Sequence, residues 1–269
     1  MSAETKVHIL DCGSMSTDLT GLLLKPGRTI RSRYEKDRLT EWYASPTHCV
    51  LVETPEGRLL WDTSCPRDWE ERWPQGAQDY CPYDQVGDDE YFDARLHQLG
   101  LELGDIDFVV LSHLHADHSG NVRMFEGTDA RLVCSQAEHE FAFGFDGPFN
   151  GAHVKSDYEG LTFETIDGDE EFLPGVSFIQ APGHTVGTMA MQVDLPNTGT
   201  MLFTSDAIYM GDSYGPPTAP PAIVDDLPTW YASVEKIRRV AEENDAMLIF
   251  GHDSPQMRTL RRSPEGFYD

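Results

Sequence analysis

The chain has 269 residues, of which 46 are acidic and 20 are basic, so its net charge is −26. A protein this negative repels polyanions, and we expect no nucleic-acid partner. The sequence contains no apolar run of about 18 residues and no basic segment followed by an apolar one at its start. We therefore expect no membrane-spanning helix, no membrane partner and no secretory leader.

The five cysteines are scattered along the chain, and none belongs to a C-x-x-C pair. Reduced, partly buried thiols are typical of a reducing compartment, which predicts a cytoplasmic protein. The cysteines are Cys12, Cys49, Cys65, Cys81 and Cys134.

The first part of the chain reads as strands, then a long connection, then a helix. Strands are predicted at residues 6–10, 47–53 and 58–62, and the turn TPEG joins the last two. Residues 64–90 are rich in Trp, Pro, Asp and Gly without a regular period, which predicts a surface loop or lid. A helix is predicted over residues 89–99.

The rest of the chain mixes strands and helices. Residues 106–112 are a continuous apolar run rich in β-branched residues, which is typical of a buried strand. No linker divides the pattern, so we expect one α/β domain that spans residues 1–269. The later segments are strands at 131–134, 176–181, 201–205 and 246–250, and helices at 136–143 and 228–243.

The stretch LSHLHADHSG (111–120) concentrates metal-binding residues directly after a predicted buried strand. It contains His113, His115, Asp117 and His118. Polar groups at the end of a buried strand are costly unless they have partners. Neutral imidazoles and carboxylates are good ligands for zinc and related divalent ions, so this stretch predicts a metal site.

Three later predicted strands end in the same way. His184 follows FIQAPG, Asp206 follows MLFTS, and His252 follows AMLIFG. Strand ends are rigid and can converge on one cleft. Seven ligands exceed the needs of one tetrahedral ion, which predicts two divalent ions about 3.5–4 Å apart. We expect zinc, with cobalt, manganese and iron as alternatives. The other histidines, predicted to be surface or satisfied core residues, are His8, His48, His97, His139 and His153.

The segment HLHADH reads H-x-H-x-D-H and resembles the signature of the metallo-β-lactamase superfamily. His184, Asp206 and His252 match that superfamily's later ligand positions in order, and Asp62 in WDTS matches its D-T-G, with Ser64 in place of glycine. The resemblance implies a four-layer αββα sandwich, in which two mixed β-sheets are flanked by helices. It also implies two ligand groups bridged by Asp206. The first group is His113, His115 and His184, and the second is Asp117, His118 and His252.

Within the superfamily, the chain is most similar to the N-acyl homoserine lactone lactonases and related small-lactone hydrolases. Tyr209 follows Asp206 in SDAIY, a spacing at which a tyrosine of those enzymes faces the substrate carbonyl. SHLHADHSGN is similar to their S-H-x-H-x-D-H-x-G-G-N but has one glycine fewer, so we expect a different local loop. The resemblance implies quorum quenching by lactone ring opening, with attack by a metal-bridging hydroxide. Tyr209 would stabilise the oxyanion, and Asp117 would carry the proton.

Two alternative activities remain open from the sequence. One is hydrolysis of another small lactone, such as γ-butyrolactone or pyridoxolactone. The other is a glyoxalase II-like thioesterase, for which Arg258, Arg261 and Arg262 could bind carboxylates. The aromatic loop residues could instead form the interface of a homodimer. The aromatic residues that could line a substrate pocket are Trp42, Tyr43, Trp69, Trp73, Tyr80, Tyr83, Phe92, Phe141, Phe143, Phe145 and Phe149.

Overall fold

The computed structural model describes residues 5–35 and 37–269. The first four residues, on which the predicted absence of a leader partly rests, lie outside the described residues. The strands are β1 Lys6–Asp18, β2 Trp42–Thr54, β3 Gly57–Trp61, β4 Phe108–Val110, β5 Arg131–Ser135, β6 Phe149–Asn150, β7 His153–Val154, β8 Phe163–Ile166, β9 Glu170–Leu173, β10 Val176–Gln180, β11 Met189–Leu195, β12 Gly199–Phe203 and β13 Met247–Ile249.

Most of the helices are short, and several consist of a single turn. Short 3₁₀ helices lie at Leu103–Asp105, Val122–Phe125 and Ser205–Ala207. The α-helices are α1 Leu19–Leu22, α2 Trp69–Arg72, α3 Gln75–Tyr80, α4 Phe92–Gln98, α5 Ala116–Ser119, α6 Gln136–Gly144, α7 Lys155–Tyr158, α8 Gly211–Tyr214, α9 Leu227–Glu243 and α10 Ser254–Met257. In the described part of the chain, no helix is both long and apolar enough to cross a membrane.

The strands form two larger sheets and a small hairpin of β6 and β7. The first sheet has the order β1-β2-β3-β4-β5-β8, with antiparallel pairs up to β3 and parallel pairs from β3 onward. The second has the order β13-β12-β11-β10-β9, in which β12 and β13 are parallel and the other pairs antiparallel. Both large sheets are therefore mixed, as predicted.

The two sheets pack face to face through a shared apolar core. Trp61 on β3 stacks against Phe178 on β10, with ring centroids 5.4 Å apart. Val50 on β2 and Met191 on β11 are fully buried in the same core. Because side chains alternate along a strand, the other side chains of these strands face outward and need a second cover.

Helices supply that cover on each outer face. Phe92 and Leu96 of α4 belong to an apolar cluster on the first sheet. Trp230, Val234 and Ile237 of α9 belong to a cluster on the second sheet, at the helical spacing of the sequence. The layer order helix, sheet, sheet, helix confirms the predicted four-layer αββα sandwich.

Some segments differ from their predicted bounds. The predicted strand 6–10 continues to Asp18, past a bulge at which Gly13 has a φ of +75°. The sequence did not predict this extension, because the apolar alternation stops before the bulge and polar residues such as Asp11 and Ser14 follow. The strand predicted over 106–112 is shorter, and so is the strand predicted over 246–250.

The segment 64–90 is more ordered than the predicted loop. It contains α2 and α3, and it buries the side chains of Trp73 and Tyr83. The helix predicted from residue 89 begins only at Phe92, because the Glu90 amide donates to the Gly87 carbonyl and closes a turn there. Residues of this segment line the cavity described below, as a lid would.

Candidate metal centre

All seven predicted ligands meet in one buried place. They follow the ends of four strands: β4 in the first sheet, and β10, β12 and β13 in the second. Their ligand atoms form two groups, each with members within 4.8 Å of one another, and Asp206 belongs to both. The first group is His113, His115, His184 and Asp206, and the second is Asp117, His118, Asp206 and His252.

In the first group, three imidazole nitrogens and a carboxylate oxygen face one point. His184 Nε2 lies 3.1 Å from His113 Nε2 and 3.0 Å from His115 Nδ1. It lies 3.2 Å from Asp206 Oδ2. Burial, reinforced by the neighbouring histidines, lowers the pKa values of His113 and His115 well below their ordinary value. Neutral imidazole lone pairs that converge in this way suit a cation between them.

The second group is built around the other oxygen of the same aspartate. Asp206 Oδ1 lies 3.0 Å from His252 Nε2 and 3.3 Å from His118 Nε2. Asp117 Oδ2 lies 3.4 Å from His118 Nε2 and 3.5 Å from His252 Nε2. Asp206 Oδ1 and His118 Nε2 are buried without a hydrogen-bond partner among the described residues. Such orphaned atoms fit a second ion, and Asp206 offers one oxygen to each group.

Asp62 of the WDTS segment supports this second group through the far side of the His118 ring. Its carboxylate accepts hydrogen bonds from the Ser112 amide at 2.7 Å and from His118 Nδ1 at 2.9 Å. A proton held on Nδ1 leaves the Nε2 lone pair free for a metal. Asp62 and Ser64 both adopt left-handed backbone, with φ of +60° and +57°. Ser64, which stands where the superfamily has glycine, therefore takes a conformation that glycine adopts at no steric cost.

Three further candidate ligand histidines, His113, His184 and His252, have similar partners for the second ring nitrogen. His184 Nδ1 lies 3.1 Å from the Ile223 carbonyl, and His252 Nδ1 lies 2.9 Å from the Pro46 carbonyl. His113 Nδ1 lies 3.0 Å from the Ser112 hydroxyl. These contacts orient each ring, which a coordination site requires.

Tyr209 lies beside both groups. Its hydroxyl is 3.3 Å from His184 Nδ1, and its ring packs 5.2 Å from the ring of His252. Burial, followed by the charges of Asp206 and Asp117, raises the pKa of Tyr209 well above its ordinary value. The hydroxyl therefore keeps its proton at neutral pH and can donate a hydrogen bond.

The two groups form the floor of a cavity of about 530 Å³. Asp117, Asp206, Tyr209 and His252 line it, so a bound molecule would touch the candidate centre directly. No Lys or Arg of residues 5–35 and 37–269 lines this cavity. Its apolar walls include Met15, Leu22, Trp73, Ala77, Phe141, Val154, Ile223 and Val224.

The predicted aromatic candidates separate into four sets. Trp73 and Phe141 line the cavity. Tyr43 is buried and supports the second group instead, because its hydroxyl donates to the His252 carbonyl at 3.0 Å. Exposed side chains are found at Trp42, Tyr80 and Phe149. The others pack against neighbouring side chains away from the cavity lining: Trp69, Tyr83, Phe92, Phe143 and Phe145.

Among the histidines predicted to be structural, His153 lies next to the candidate metal centre, a position that the sequence does not predict. It is a satisfied buried residue, as predicted, with Nε2 2.8 Å from Glu138 Oε1. It also lines the cavity, beside His115. His8 and His97 pair with glutamates elsewhere, and His139 stacks on Phe143. No local motif marks His153, since only the fold brings its hairpin to the ligands.

The sequence profile of the metallo-beta-lactamase superfamily matches residues 42–252 of the chain. The chain belongs to the metallo-beta-lactamase superfamily. The matched span runs from the start of β2 to His252, so it contains every residue of the two ligand groups. The predicted resemblance to this superfamily is therefore confirmed.

Curated relatives of the chain include N-acyl homoserine lactonases. AiiB of Agrobacterium fabrum is 32% identical over 279 aligned positions, which cover 98% of this chain and 99% of the relative. AttM of Azorhizobium caulinodans is 28% identical, and the alignment covers 99% of this chain and 99% of the relative. This similarity agrees with the predicted position of the chain in the lactonase group.

Solved structures agree on the fold. A crystal structure of a mutant Bacillus thuringiensis AiiA with N-decanoyl-L-homoserine at its active site has a TM-score of 0.81 at 23% identity, covering 98% of this chain and 99% of that one. AidC, described as a dizinc quorum-quenching lactonase in complex with a product, has a TM-score of 0.67 at 20% identity over 94% of this chain and 89% of its own. These likenesses establish the αββα architecture independently of the sequence motifs.

Proposed function

We propose that this protein is a dimetal hydrolase that opens the ester ring of N-acyl homoserine lactones, and so quenches quorum sensing. The observation that carries the proposal is the pair of ligand groups that share Asp206 on the floor of an apolar cavity. The N-acyl homoserine lactonases among the relatives support the choice of substrate. The donor set of imidazoles and carboxylates suits two zinc ions.

The residues at the centre have distinct tasks in ring opening. Two ions held by the seven ligands would lower the pKa of a water molecule towards neutrality and polarise the lactone carbonyl. The Tyr209 hydroxyl donates a hydrogen bond to the carbonyl oxygen as negative charge develops there. The water oxygen adds to the carbonyl carbon, and the bond from that carbon to the ring oxygen breaks. Asp117, which lines the cavity, takes the water proton and delivers it to the ring oxygen.

The cavity favours a neutral substrate with an apolar chain. Its lining combines apolar side chains with carboxylates and includes no Lys or Arg among the described residues.

The thioesterase alternative relied on cations near the C-terminus. Arg261 and Arg262 line a separate surface pocket, and Arg262 pairs with Asp11. Arg258 donates to the Ser254 hydroxyl. These arginines are therefore not placed to hold a carboxylate in the cavity.

Ring opening releases acid, so a pH indicator tests the proposal directly. Zinc-loaded protein should acidify a solution of a medium-chain N-acyl homoserine lactone, and EDTA should abolish the reaction. Asp206→Asn should lose bound zinc and activity together, because Asp206 supplies one oxygen to each group. Asp88→Asn is the matched control, since Asp88 is exposed.

Each outcome separates the alternatives. Full activity in Asp206→Asn with intact metal content would contradict the two-ion mechanism. Inactivity of the unaltered protein with two bound zinc ions would exclude the acyl homoserine lactones. The same assay with γ-butyrolactone and pyridoxolactone would then test the other ring esters, and a glutathione thioester would test the thioesterase alternative.

The remaining parts of the proposal concern the whole protein. We propose that residues 1–269 form one domain, which the core shared by both sheets supports. We also propose a cytoplasmic location, which the free thiols of all five cysteines support. A homodimer stays a prediction, which size-exclusion chromatography with light scattering would test.

A further inference from the structure

Glu138 is a buried carboxylate that none of the steps above uses. It lies on α6 with no exposed surface, and each of its oxygens accepts two hydrogen bonds. Oε1 accepts from the Leu114 amide at 2.9 Å and from His153 Nε2 at 2.8 Å. Oε2 accepts from the Thr185 hydroxyl at 2.6 Å and from the Gly187 amide at 3.2 Å. A buried charge is tolerated only with such complete pairing.

Three of the four donors to Glu138 come from the two loops that carry the first ligand group. Leu114 lies between His113 and His115 in the chain, and Thr185 directly follows His184. A single carboxylate therefore joins the two segments whose three imidazoles must meet at one point. The loop closes tightly over α6, because a Cβ on Gly187 would lie 2.3 Å from the Glu138 amide nitrogen.

His153 extends this connection to the ring of His115. With Nε2 held by Glu138, its ring packs at 78° to the His115 ring, with centroids 4.5 Å apart. The hairpin that carries His153 is tied to the ligand loop, since the Ala116 amide donates to the Ala152 carbonyl at 3.0 Å.

His115 needs such packing more than the other ligands do. His113, His118, His184 and His252 each have a partner for Nδ1. His115 faces the group with Nδ1, and within residues 5–35 and 37–269 its Nε2 makes no hydrogen bond. The usual means of orienting a ligand imidazole is therefore missing, and the ring of His153 takes its place.

We propose that Glu138 and His153 are positioning residues for the first metal ion: Glu138 holds the two ligand loops in register, and His153 orients the ring of His115. The proposal rests on the dimetal centre of the proposed function. The charge of Glu138 matters as well as its shape. A glutamine would turn an NH₂ group towards at least one N–H or O–H donor that now faces an oxygen.

Zinc binding tests the role of Glu138 without relying on activity. The metal-free protein is titrated with zinc in competition with a chromophoric chelator. In Glu138→Gln we expect one of two zinc ions to bind about 10- to 100-fold more weakly, the usual effect of losing an outer partner of a ligand. The other ion should bind as before. Glu140→Gln is the matched control, because Glu140 is exposed on the same helix.

A second pair of variants tests the ring of His153. His153→Ala should weaken the same zinc ion, and His153→Phe should restore part of the loss, because a phenyl ring can still pack on His115. Cobalt(II) spectra should show the change at one site only. Circular dichroism of the metal-free variants identifies any that fail to fold. If Glu138→Gln does not fold, the zinc affinities of His153→Phe and His153→Ala test the proposal instead.

The results also distinguish this proposal from the one on which it rests. Failure of the unaltered protein to bind two zinc ions would overturn the dimetal centre itself. Two zinc ions bound at unaltered affinity by Glu138→Gln and His153→Ala would leave the centre intact and overturn the positioning role. An equal loss in His153→Phe and His153→Ala would contradict the role of ring packing.

Discussion

The catalytic role proposed for Tyr209 depends on the surroundings of its hydroxyl group. The spacing of Tyr209 from Asp206 predicts this role, and the fold places its hydroxyl near His184, in a cavity whose lining includes no Lys or Arg among the described residues. Burial keeps the phenol protonated, because it raises the pKa of Tyr209. A buried, protonated donor is what a developing oxyanion requires.

Tyr209→Phe should therefore keep both metal ions and lower kcat/KM for the lactone. We expect a loss of about 1–3 kcal/mol of transition-state stabilisation, the scale of one hydrogen bond to a charged group. Steady-state kinetics and metal analysis on the same samples measure the two effects. Tyr231→Phe, at an exposed tyrosine of α9, is the control. An unchanged rate would remove Tyr209 from the mechanism.

Among the elements, the covering segment with α2 and α3 departs most from prediction. Its composition suggested a loop, yet two hydrogen bonds from one arginine attach it to neighbouring segments. Arg72 of α2 donates to Asp157 Oδ1 of α7 at 3.2 Å and to the Gly120 carbonyl at 3.0 Å. Gly120 itself admits no Cβ, which would lie 2.4 Å from Pro66 Cδ. Neither contact is visible in sequence, since the partners are far apart in the chain.

The Asp157 carboxyl makes this attachment sensitive to pH. Burial raises the pKa of Asp157 to about 7, although Arg72 opposes the rise. A carboxyl with a higher pKa in the folded state binds its proton more tightly there. The free energy of unfolding should therefore fall as the pH rises from about 4 to about 7 and stay constant above that. Each pKa unit is worth about 1.4 kcal/mol.

Urea unfolding of the metal-free protein and of Asp157→Asn measures this effect. Asparagine does not titrate, so the variant should gain stability relative to the unaltered protein between acid and neutral pH. The metal ligands titrate in both proteins and cancel in the difference. A difference that does not change with pH would show that Asp157 is ionised throughout, as a partner of Arg72.

At the scale of the whole molecule, the net charge of −26 acts on stability. Like charges on a compact surface repel one another, and salt screens them. Raising NaCl from about 0.1 M to about 1 M shortens the Debye length from about 10 Å to about 3 Å. We expect the Tm of the metal-free protein to rise by a few degrees, measured by calorimetry.

The same salt series near the isoelectric point is the control. The sequence has an isoelectric point of about 4.5, where the net repulsion vanishes and the rise in Tm should disappear. A Tm that falls with salt at neutral pH would mean that local ion pairs, such as Arg72 with Asp157, outweigh the general repulsion.

The sequence by itself determined the ligand types, their order and their places at strand ends, and through these the superfamily and the αββα fold. Those features are local, because a buried strand and the polar residue that ends it are adjacent in the chain. Only the tertiary structure decided that Asp206 offers one oxygen to each group and that Glu138 joins two ligand loops. It also decided that His153 lies against His115. These contacts arise where the two sheets and the covering segments pack together, so no local spacing encodes them.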